Sequence, residues 1–517
     1  MLPALRHLRR IAGVFRTLAR HDALFPFQRL GIPRTGLRLL AVLLFVRRAK
    51  SVAALPEGRR LAAALTDLGP AFIKLGQALS VRPDLVGDEI ADELTSLQDD
   101  LPPFDSAAAR AVVAAELGKP VADLFSTFDD IPVAAASIAQ VHRAVTPSGE
   151  AVAVKVLRPG IEAAFARDLE LARWAAGLIE RHRPELRRLR PVEAVETIVR
   201  SVEMEMDLRF EAAAADELRQ NFADEQAFSV PAVDWLRTGR RVMTIQWIEA
   251  IPVHDIGALR RAGIDLEATV ANIAKVFFLQ VFRDGFFHAD LHPGNIFIDR
   301  DGVVHAVDFG IMGRLDRRTR QFLAEMLHGF LTRDYRRVAD VHIRAGYVPA
   351  DQSADEFAQA ARSIAEPILG LPLGDISLAR LLAQLFAVTD RFNMPAQPQL
   401  LLLQKTMLIA EGVGRKLYPH VNMWELARPL IEDWMREHMG AEARIREGIE
   451  DVLDGLERLP RAIAGMEETI GAATRTGLRL DAASLQSLAR AQRDARPSWP
   501  VWAAIAAAVL IGAALLD

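Results

Sequence analysis

One run constrains this chain more than any other: HADLHPGN, His288 to Asn295, followed by DFG at Asp308 to Gly310. Between them lie two short apolar segments, Ile296 to Ile298 and Val303 to Val307, around a turn at Asp301–Gly302, which reads as a hairpin. The pattern sets one carboxylate on a tight loop, a carboxamide where the hairpin begins and a second carboxylate where it ends. Moving a phosphoryl group asks for that set and little else, because the work is positioning and charge neutralisation rather than covalent chemistry. Asp290 is of the type that takes the proton of an acceptor hydroxyl or orients a water. Asn295 and Asp308 are of the types that hold Mg2+ against the phosphates of ATP or ADP. Pro293–Gly294 supplies the turn that brings Asn295 back toward Asp290. His288 reads as a residue that holds the loop, and His292 as an ordinary loop residue.

A second signal lies upstream, in VAVKV at Val152 to Val156. A lysine inside an apolar strand is unfavourable unless it meets an anion. A lysine that pairs with phosphate meets one, which makes Lys155 the candidate; the plain alternative is an edge-strand lysine that blocks aggregation. Two departures from an ordinary protein kinase follow. Where a Gly-rich loop would cover the phosphates, this chain has AAASIAQVHRA, Ala134 to Ala144. A Cβ on each alanine keeps the backbone farther from phosphate than glycine allows, and Ser137 offers a hydroxyl instead. After Gly310 a helical pattern begins at Arg317 and no A-P-E appears, which leaves little room for an activation loop.

The rest of the pattern is helical with a small sheet. Helices are predicted over 1–60, through Thr66 to Val86 and over Ser106 to Leu117. Short alternating strands follow at Ser137 to Val145 and Ala151 to Leu157, with a turn at Pro147–Gly149. Helix is predicted from Ile161 to Gln220, an apolar β-branched segment at Arg241 to Glu249, helix from Leu266 to Asp284, and helix again beyond Arg317. This is an α+β chain with the order of a two-lobed, protein-kinase-like fold carrying a helical N-terminal extension.

The two ends carry their own signals. Met1 to Lys50 is rich in arginine and apolar residues without the layout of a cleaved leader, so it reads either as a basic helix on an anionic membrane surface or as an ordinary solvated helix. Trp499 to Leu516 contains no charged residue and its length falls within the about 17–25 residues that a membrane span requires. Arg490, Arg493 and Arg496 precede it, which by the positive-inside rule keeps the body of the protein in the cytoplasm. A C-terminal transmembrane or membrane-anchoring helix over 499–516 is therefore expected, with an alanine-rich buried helix as the alternative. The formal net charge of −4 gives no reason to expect a nucleic-acid partner, and with no cysteine there are neither disulfides nor thiolate sites.

Taken together, these residues resemble the UbiB family of atypical kinases linked to ubiquinone biosynthesis. The family's K-x-G-Q motif is matched by KLGQ, Lys74 to Gln77, its A-A-A-S loop by Ala134 to Ser137, and its E-x-D motif by Glu205 to Asp207, followed by Glu211 in LRFEAA. The resemblance covers roughly Leu61 to Arg314 and extends more weakly into the later helices. It implies that the K-x-G-Q helix folds over the active site, where a peptide substrate would otherwise lie. It puts Ala134, Ala135, Ala136, Ser137, Lys74, Gln77 and Asp207 beside Lys155 on the nucleotide side. It also implies that Lys155 pairs with Glu205, whereas ordinary kinase spacing would favour Glu170.

The divisions expected are basic amphipathic helices over 1–60, the K-x-G-Q extension over 61–130, an N-lobe with inserted helices over 131–250, a helical C-lobe over 251–495, and the terminal segment. The implied activity is that of a phosphotransferase-type kinase or ATPase (EC 2.7) using Mg-ATP at the bacterial inner membrane, with its catalytic body in the cytoplasm. The implied partners are the membrane and quinone-precursor lipids, with other ubiquinone-biosynthesis enzymes and a second copy of the chain as further candidates. Two other readings stand beside it: a small-molecule phosphotransferase of the aminoglycoside or choline kinase type, and a non-catalytic nucleotide-gated scaffold.

Overall fold

A computed structural model of the chain describes residues 3–25, 55–80, 87–94, 102–136, 138–182, 191–367, 398–420 and 423–439, with isolated positions between them. Met1–Arg436 make one compact unit and Glu437–Asp517 another; all three described sheets and the candidate site lie in the first. The N-terminal helices are α1 (Pro3–Arg20), α2 (Glu57–Leu68), α3 (Pro70–Ser80) and α4 (Asp88–Leu94). Gly69, at φ 105°, ends α2, and Pro70 opens α3, where its missing N–H is no loss. Leu61, Ala64 and Leu65 of α2 recur at helical spacing and bury against Leu18, Ile90 and Leu94. Arg10 on α1 forms a two-pronged bond to Asp168 on α7 (Ile161–His182), which ties the extension to the body of the unit.

The first sheet holds β1 (Thr127–Phe128), β2 (Ala134–Ala135), β3 (Ala139–Val145), β4 (Ala151–Leu157) and β6 (Val242–Gln246). Its order is β1-β3-β4-β6, with β2 also paired to β3, and every pairing is antiparallel. Side chains alternate along β4. Val152, Val154 and Val156 bury against Val112 and Val113 of α5 (Ser106–Leu117), against Leu124 and Phe125 at the end of the short α6 (Val121–Leu124), and against Phe128. Lys155 therefore points to the other face. Both α5 and β1 pack into this sheet although they fall within the stretch that the sequence places in the helical extension. Asp105, which accepts from Ala108 N, caps the start of α5, and Ala109, Val112 and Val113 of that helix bury in one cluster with Phe128 of β1 and the inward valines of β4.

Among the described residues, the predicted helix over 161–220 is three helices: α7, α8 (Pro191–Glu205) and α9 (Leu208–Asn221). Asp207 breaks the last two apart by capping α9. The second sheet has the order β5 (Phe228–Ser229), β10 (Val304–Ala306), β9 (Ile296–Ile298), β7 (Ile251–Pro252). A separate pair joins β8 (Phe286–His288) to β11 (Met312–Arg314). The predicted hairpin is thus present as β9 and β10, while β1, β2, β5, β7, β8 and β11 are too short to show an alternating pattern in sequence. Helices α10 (Ile256–Arg261) and α11 (Leu266–Phe278) precede a wider π turn over Leu279–Asp284. Beyond β11 run α12 (Arg317–Leu331), α13 (Tyr335–Arg344), α14 (Ala354–Ala365), α15 (Pro398–Leu417) and α16 (Met423–Met439). Among the described residues no helix is long and apolar enough to cross a membrane; the segment 499–516, expected to do so, lies outside the described residues.

Gly285 turns the chain out of the π turn into β8, at φ +63°. A Cβ there would stand 2.5 Å from Leu315 O. That carbonyl cannot retreat freely, because Leu315 N donates to Gly285 O at 2.8 Å. Gly302 in the β9–β10 turn has φ +81° but open space around it. Gly302→Ala is expected to lower stability by about 1 kcal/mol from backbone strain alone. Gly285→Ala is expected to lower it by about 3 kcal/mol, since strain and overpacking add. Denaturant titration of the two variants beside the parent measures the difference.

Candidate active site

Lys155 stands at the centre of the site. Its Nζ donates to Glu211 Oε1 at 2.7 Å and to Asp308 Oδ1 at 3.1 Å. The lysine comes from β4, the glutamate from the buried face of α9, and the aspartate from DFG after β10. Here the structure corrects the expected pairing: neither Glu205 nor Glu170 meets Lys155. Glu205 pairs instead with Lys74, at 3.0 Å. The reason is helical register. Glu205 ends α8, whereas Leu208, Glu211, Ala212, Ala215 and Leu218 form the inward stripe of α9. An acid on an otherwise apolar helix face needs a cation opposite it, and that rule alone would have picked out Glu211 from LRFEAA.

The charges respond to this setting. Burial pushes the Glu211 carboxyl up to about 7, against the pull of Lys155. The Lys155 ammonium beside Asp308 holds that carboxyl well below the usual carboxylate range. Burial works against the charged form of Lys155, but Asp308 and Glu211 outweigh it and keep its pKa above the ordinary lysine value. Lys155 is thus a fixed cation between an ionised aspartate and a glutamate that titrates near neutrality. Asp308 is itself held at φ 61°, a left-handed conformation that non-glycine residues adopt only under constraint. The constraint is visible: Phe309 is buried, Ala289 N donates to Ile311 O at 2.9 Å, and β11 pairs with β8 immediately afterwards.

The catalytic loop is drawn tight by its own backbone. Asp290 O accepts from His292 N at 2.8 Å and from Asn295 Nδ2 at 3.1 Å. Since the amide nitrogen of Asn295 is used there, its Oδ1 is the atom left to hold a metal. Val307 N donates to Asn295 O, which joins the loop to the strand that delivers Asp308. His288 is fully buried and both ring nitrogens hold the loop: Nδ1 accepts from Asp290 N at 3.1 Å and Nε2 donates to Val307 O at 3.2 Å. Burial lowers its pKa, in keeping with a neutral ring in this tautomer. His292 Nδ1 accepts from Gly294 N inside the turn. Asp290 Oδ1 accepts from Lys405 Nζ at 3.0 Å. Lys405 lies on α15, far along the chain, in LLLLQKTMLIAEG; a lysine in an apolar helix was its only signal.

The extension reaches the same site. The ion pair of Lys74 with Glu205 fixes α3 against the end of α8, with both side chains mostly buried. The Lys74 charge also helps to depress the Asp308 pKa. Gly76, the glycine of KLGQ, sits where a Cβ would meet Leu97 Cδ1 at 2.3 Å and Leu65 Cδ1 at 2.7 Å, so the motif needs glycine for packing. Gln77 donates from Nε2 to Leu97 O at 3.3 Å. Asp207 caps α9 and accepts both prongs of Arg209, at 2.9 and 2.6 Å. No described hydrogen bond links Asp207 to Lys155, Asp290 or Asp308. Ala134 and Ala135 form β2 on the edge of the first sheet, Ala136 N donates to Ala139 O, and Ala136 O accepts from Arg158. Ser137 lies outside the described residues.

The residues present fit Mg-nucleotide. Among the described residues no three His, Asp or Glu side chains cluster as a complete metal cage. Mg2+ at a nucleotide site takes only one or two protein ligands, its other positions going to phosphates and water. An ionised, half-exposed Asp308 and the free end of the Asn295 amide meet that requirement, with Lys155 as the phosphate-side cation.

Residues 96–342 match the family described as the ABC1 atypical kinase-like domain, and residues 361–422 that described as the UbiB helical domain. The "Probable protein kinase UbiB" of Marinobacter nauticus is 44% identical over 460 residues, which are 88% of this chain and 83% of that protein. The protein of the same name from Azotobacter vinelandii is 45% identical over 80% of this chain and 77% of its own length. A solved Mycobacterium tuberculosis protein, Rv3197 in complex with erythromycin, is 28% identical with a TM-score of 0.52, covering 72% of this chain and 95% of that one.

Glu211 gives the site a pH dependence. Its folded pKa of about 7 lies above the ordinary 4.5, so its favourable contribution to stability is complete below 4.5 and is lost as pH rises through about 7. The Asp308 contribution runs the other way, present at neutrality and lost only in acid, outside that window. In Glu211→Gln the side chain stays neutral throughout. The melting temperature of this variant, relative to the parent, is therefore expected to move in the variant's favour between about pH 5.5 and pH 8. A difference that stays constant across this range would contradict the placement of Glu211.

Proposed function

We infer the function of this chain from its membership: it belongs to the UbiB family, whose core is the ABC1 atypical kinase-like domain. On that premise the chain is a kinase-type phosphotransferase or ATPase that binds Mg-ATP. The observation that carries this reading is Lys155 held between Glu211 and Asp308, with Asp290 and Asn295 on the loop locked to the same strands. Lys155 takes the phosphates, and Asn295 and Asp308 hold magnesium, which when bound neutralises the charge that gathers on the transferred group. Asp290 accepts the proton of the attacking hydroxyl or orients a water.

The acceptor is taken to be small or lipid-like rather than a protein. The ion pair of Lys74 with Glu205 seats the K-x-G-Q helix at the nucleotide site, and α12 begins at Arg317, shortly after DFG, which leaves little chain to dock a peptide. We propose that the chain supports ubiquinone biosynthesis by acting on, or extracting, prenylphenol intermediates. The apolar segment Trp499 to Leu516 would hold it at the bacterial inner membrane, with the catalytic body in the cytoplasm.

Asp308→Asn removes the fixed charge of the metal ligand while keeping its size. It is expected to weaken nucleotide binding in magnesium by at least about tenfold and to abolish the difference between measurements with and without the metal. Calorimetric titration with Mg-ADP and with ADP in chelator checks this; unchanged affinity in magnesium would sink the metal assignment. In a deletion strain, the parent chain is expected to restore quinone levels, whereas the Asp308→Asn chain leaves a prenylphenol precursor accumulating in the lipid extract.

A further inference from the structure

Asp290 has a partner that the phosphoryl-transfer reading has not used. Lys405 Nζ donates to its Oδ1 at 3.0 Å, and among the described residues it is the only cation bonded to that carboxylate. The two side chains come from different parts of the fold. Asp290 sits between β8 and β9, inside the matched kinase-like segment. Lys405 sits on α15, inside the matched helical segment. The helix is anchored next to the lysine by Thr406, which is fully buried, and then by Ala410, Val413 and Leu417 at helical spacing. Lys405 is thus presented to Asp290 from a fixed surface, not from a loop.

A structural role explains the pair poorly. The side chains are 34% and 26% exposed, and an ion pair so open to water contributes little to folding. The charge pattern explains it better. Lys155 is held by Glu211 and Asp308, and Lys74 by Glu205. The loop from Asp290 to Asn295 contains no lysine or arginine of its own. A base must be held within hydrogen-bond reach of the proton it takes, in a fixed orientation. One oxygen of Asp290 is tied to Lys405, and Oδ2 has no described donor.

We propose that Lys405 is a positioning residue of this site, supplied by the helical segment to fix the Asp290 carboxylate with one oxygen turned to the acceptor. The inference rests on the phosphoryl-transfer reading above. In the step it serves, the acceptor oxygen, of water or an alcohol, forms a bond to the γ-phosphorus as the bond from that phosphorus to the β,γ-bridging oxygen breaks. The electron pair of the broken bond leaves with ADP, and the acceptor proton passes to Asp290 Oδ2. Lys405 holds Oδ1 in place while the proton arrives.

Single-turnover cleavage of γ-labelled Mg-ATP by the full-length chain tests this. Lys405→Met is expected to lower the rate by about 100-fold while Mg-ADP affinity and melting temperature stay within error, and Lys405→Arg to recover most of the loss. In an Asp290→Asn background, Lys405→Met is expected to add nothing further, since it acts only through that carboxylate. An unchanged rate in Lys405→Met, a loss matched by a lower melting temperature, or an additive loss in the double variant overturns the assignment to Lys405 alone. A faster rate also overturns it and makes the lysine a latch on the base. If the parent chain binds Mg-ATP but cleaves none with either acceptor class, the phosphoryl-transfer reading falls, and this proposal with it.

Discussion

The arrangement depends on a single cation. Lys155 joins the first sheet, the buried face of α9 and the DFG aspartate at one point. A lysine this enclosed is tolerated only because two carboxylates face it, and removing one partner of such a group typically costs about 3–5 kcal/mol. The pairing therefore fixes the register of α9 against β4. It also holds Asp308 ionised, with its carboxylate bonded to the lysine. Nucleotide phosphates and a metal would meet a site whose charges are already in place, so little reorganisation is needed on binding.

The same logic is applied twice more, with lysines from other segments. Lys74 of the extension pairs with Glu205, and Lys405 of the helical segment pairs with Asp290. Each segment added to the kinase-like core thus delivers one ammonium to one carboxylate at or beside the site. This is a compact way to make additions to a core answerable to its chemistry: neither helix can shift without uncovering a charge. It also explains why the glycine of KLGQ is needed, since Gly76 lets α3 lie close enough against Leu65 and Leu97 to bring Lys74 to its partner.

How much of this was legible in the sequence follows from the range of each interaction. The hairpin between the two motifs, the helix over Ser106–Leu117 and the two longest strands are local patterns, and they stand where periodicity places them. Asp290, Asn295 and Asp308 are close in sequence and constrained by one hairpin, so their meeting could be read from spacing. The partner of Lys155 could not. Glu205 and Glu211 both belong to plausible motifs, and the choice between them turns on which faces inward after Asp207 interrupts the helix. That break was readable from the preference of aspartate for helix starts, and the apolar stripe of α9 then points to Glu211. The strands of two or three residues were not readable, because an alternation of period two needs more residues than they contain.

Lys405 marks the limit of local reading. It lies 115 residues from Asp290, in a helix whose sequence is otherwise that of a packed apolar element. A lone lysine there reads equally well as a solvated side chain at the edge of the buried stripe. Only the packing of α15 in the C-lobe, with Thr406 turned fully inward, decides that the neighbouring position faces the catalytic loop. The helical segment then becomes part of the chemistry and not merely a buttress to it. Whatever moves α15 by a fraction of a turn would change the charge that Asp290 experiences, and so the helix and the base form one functional element although no motif spans them.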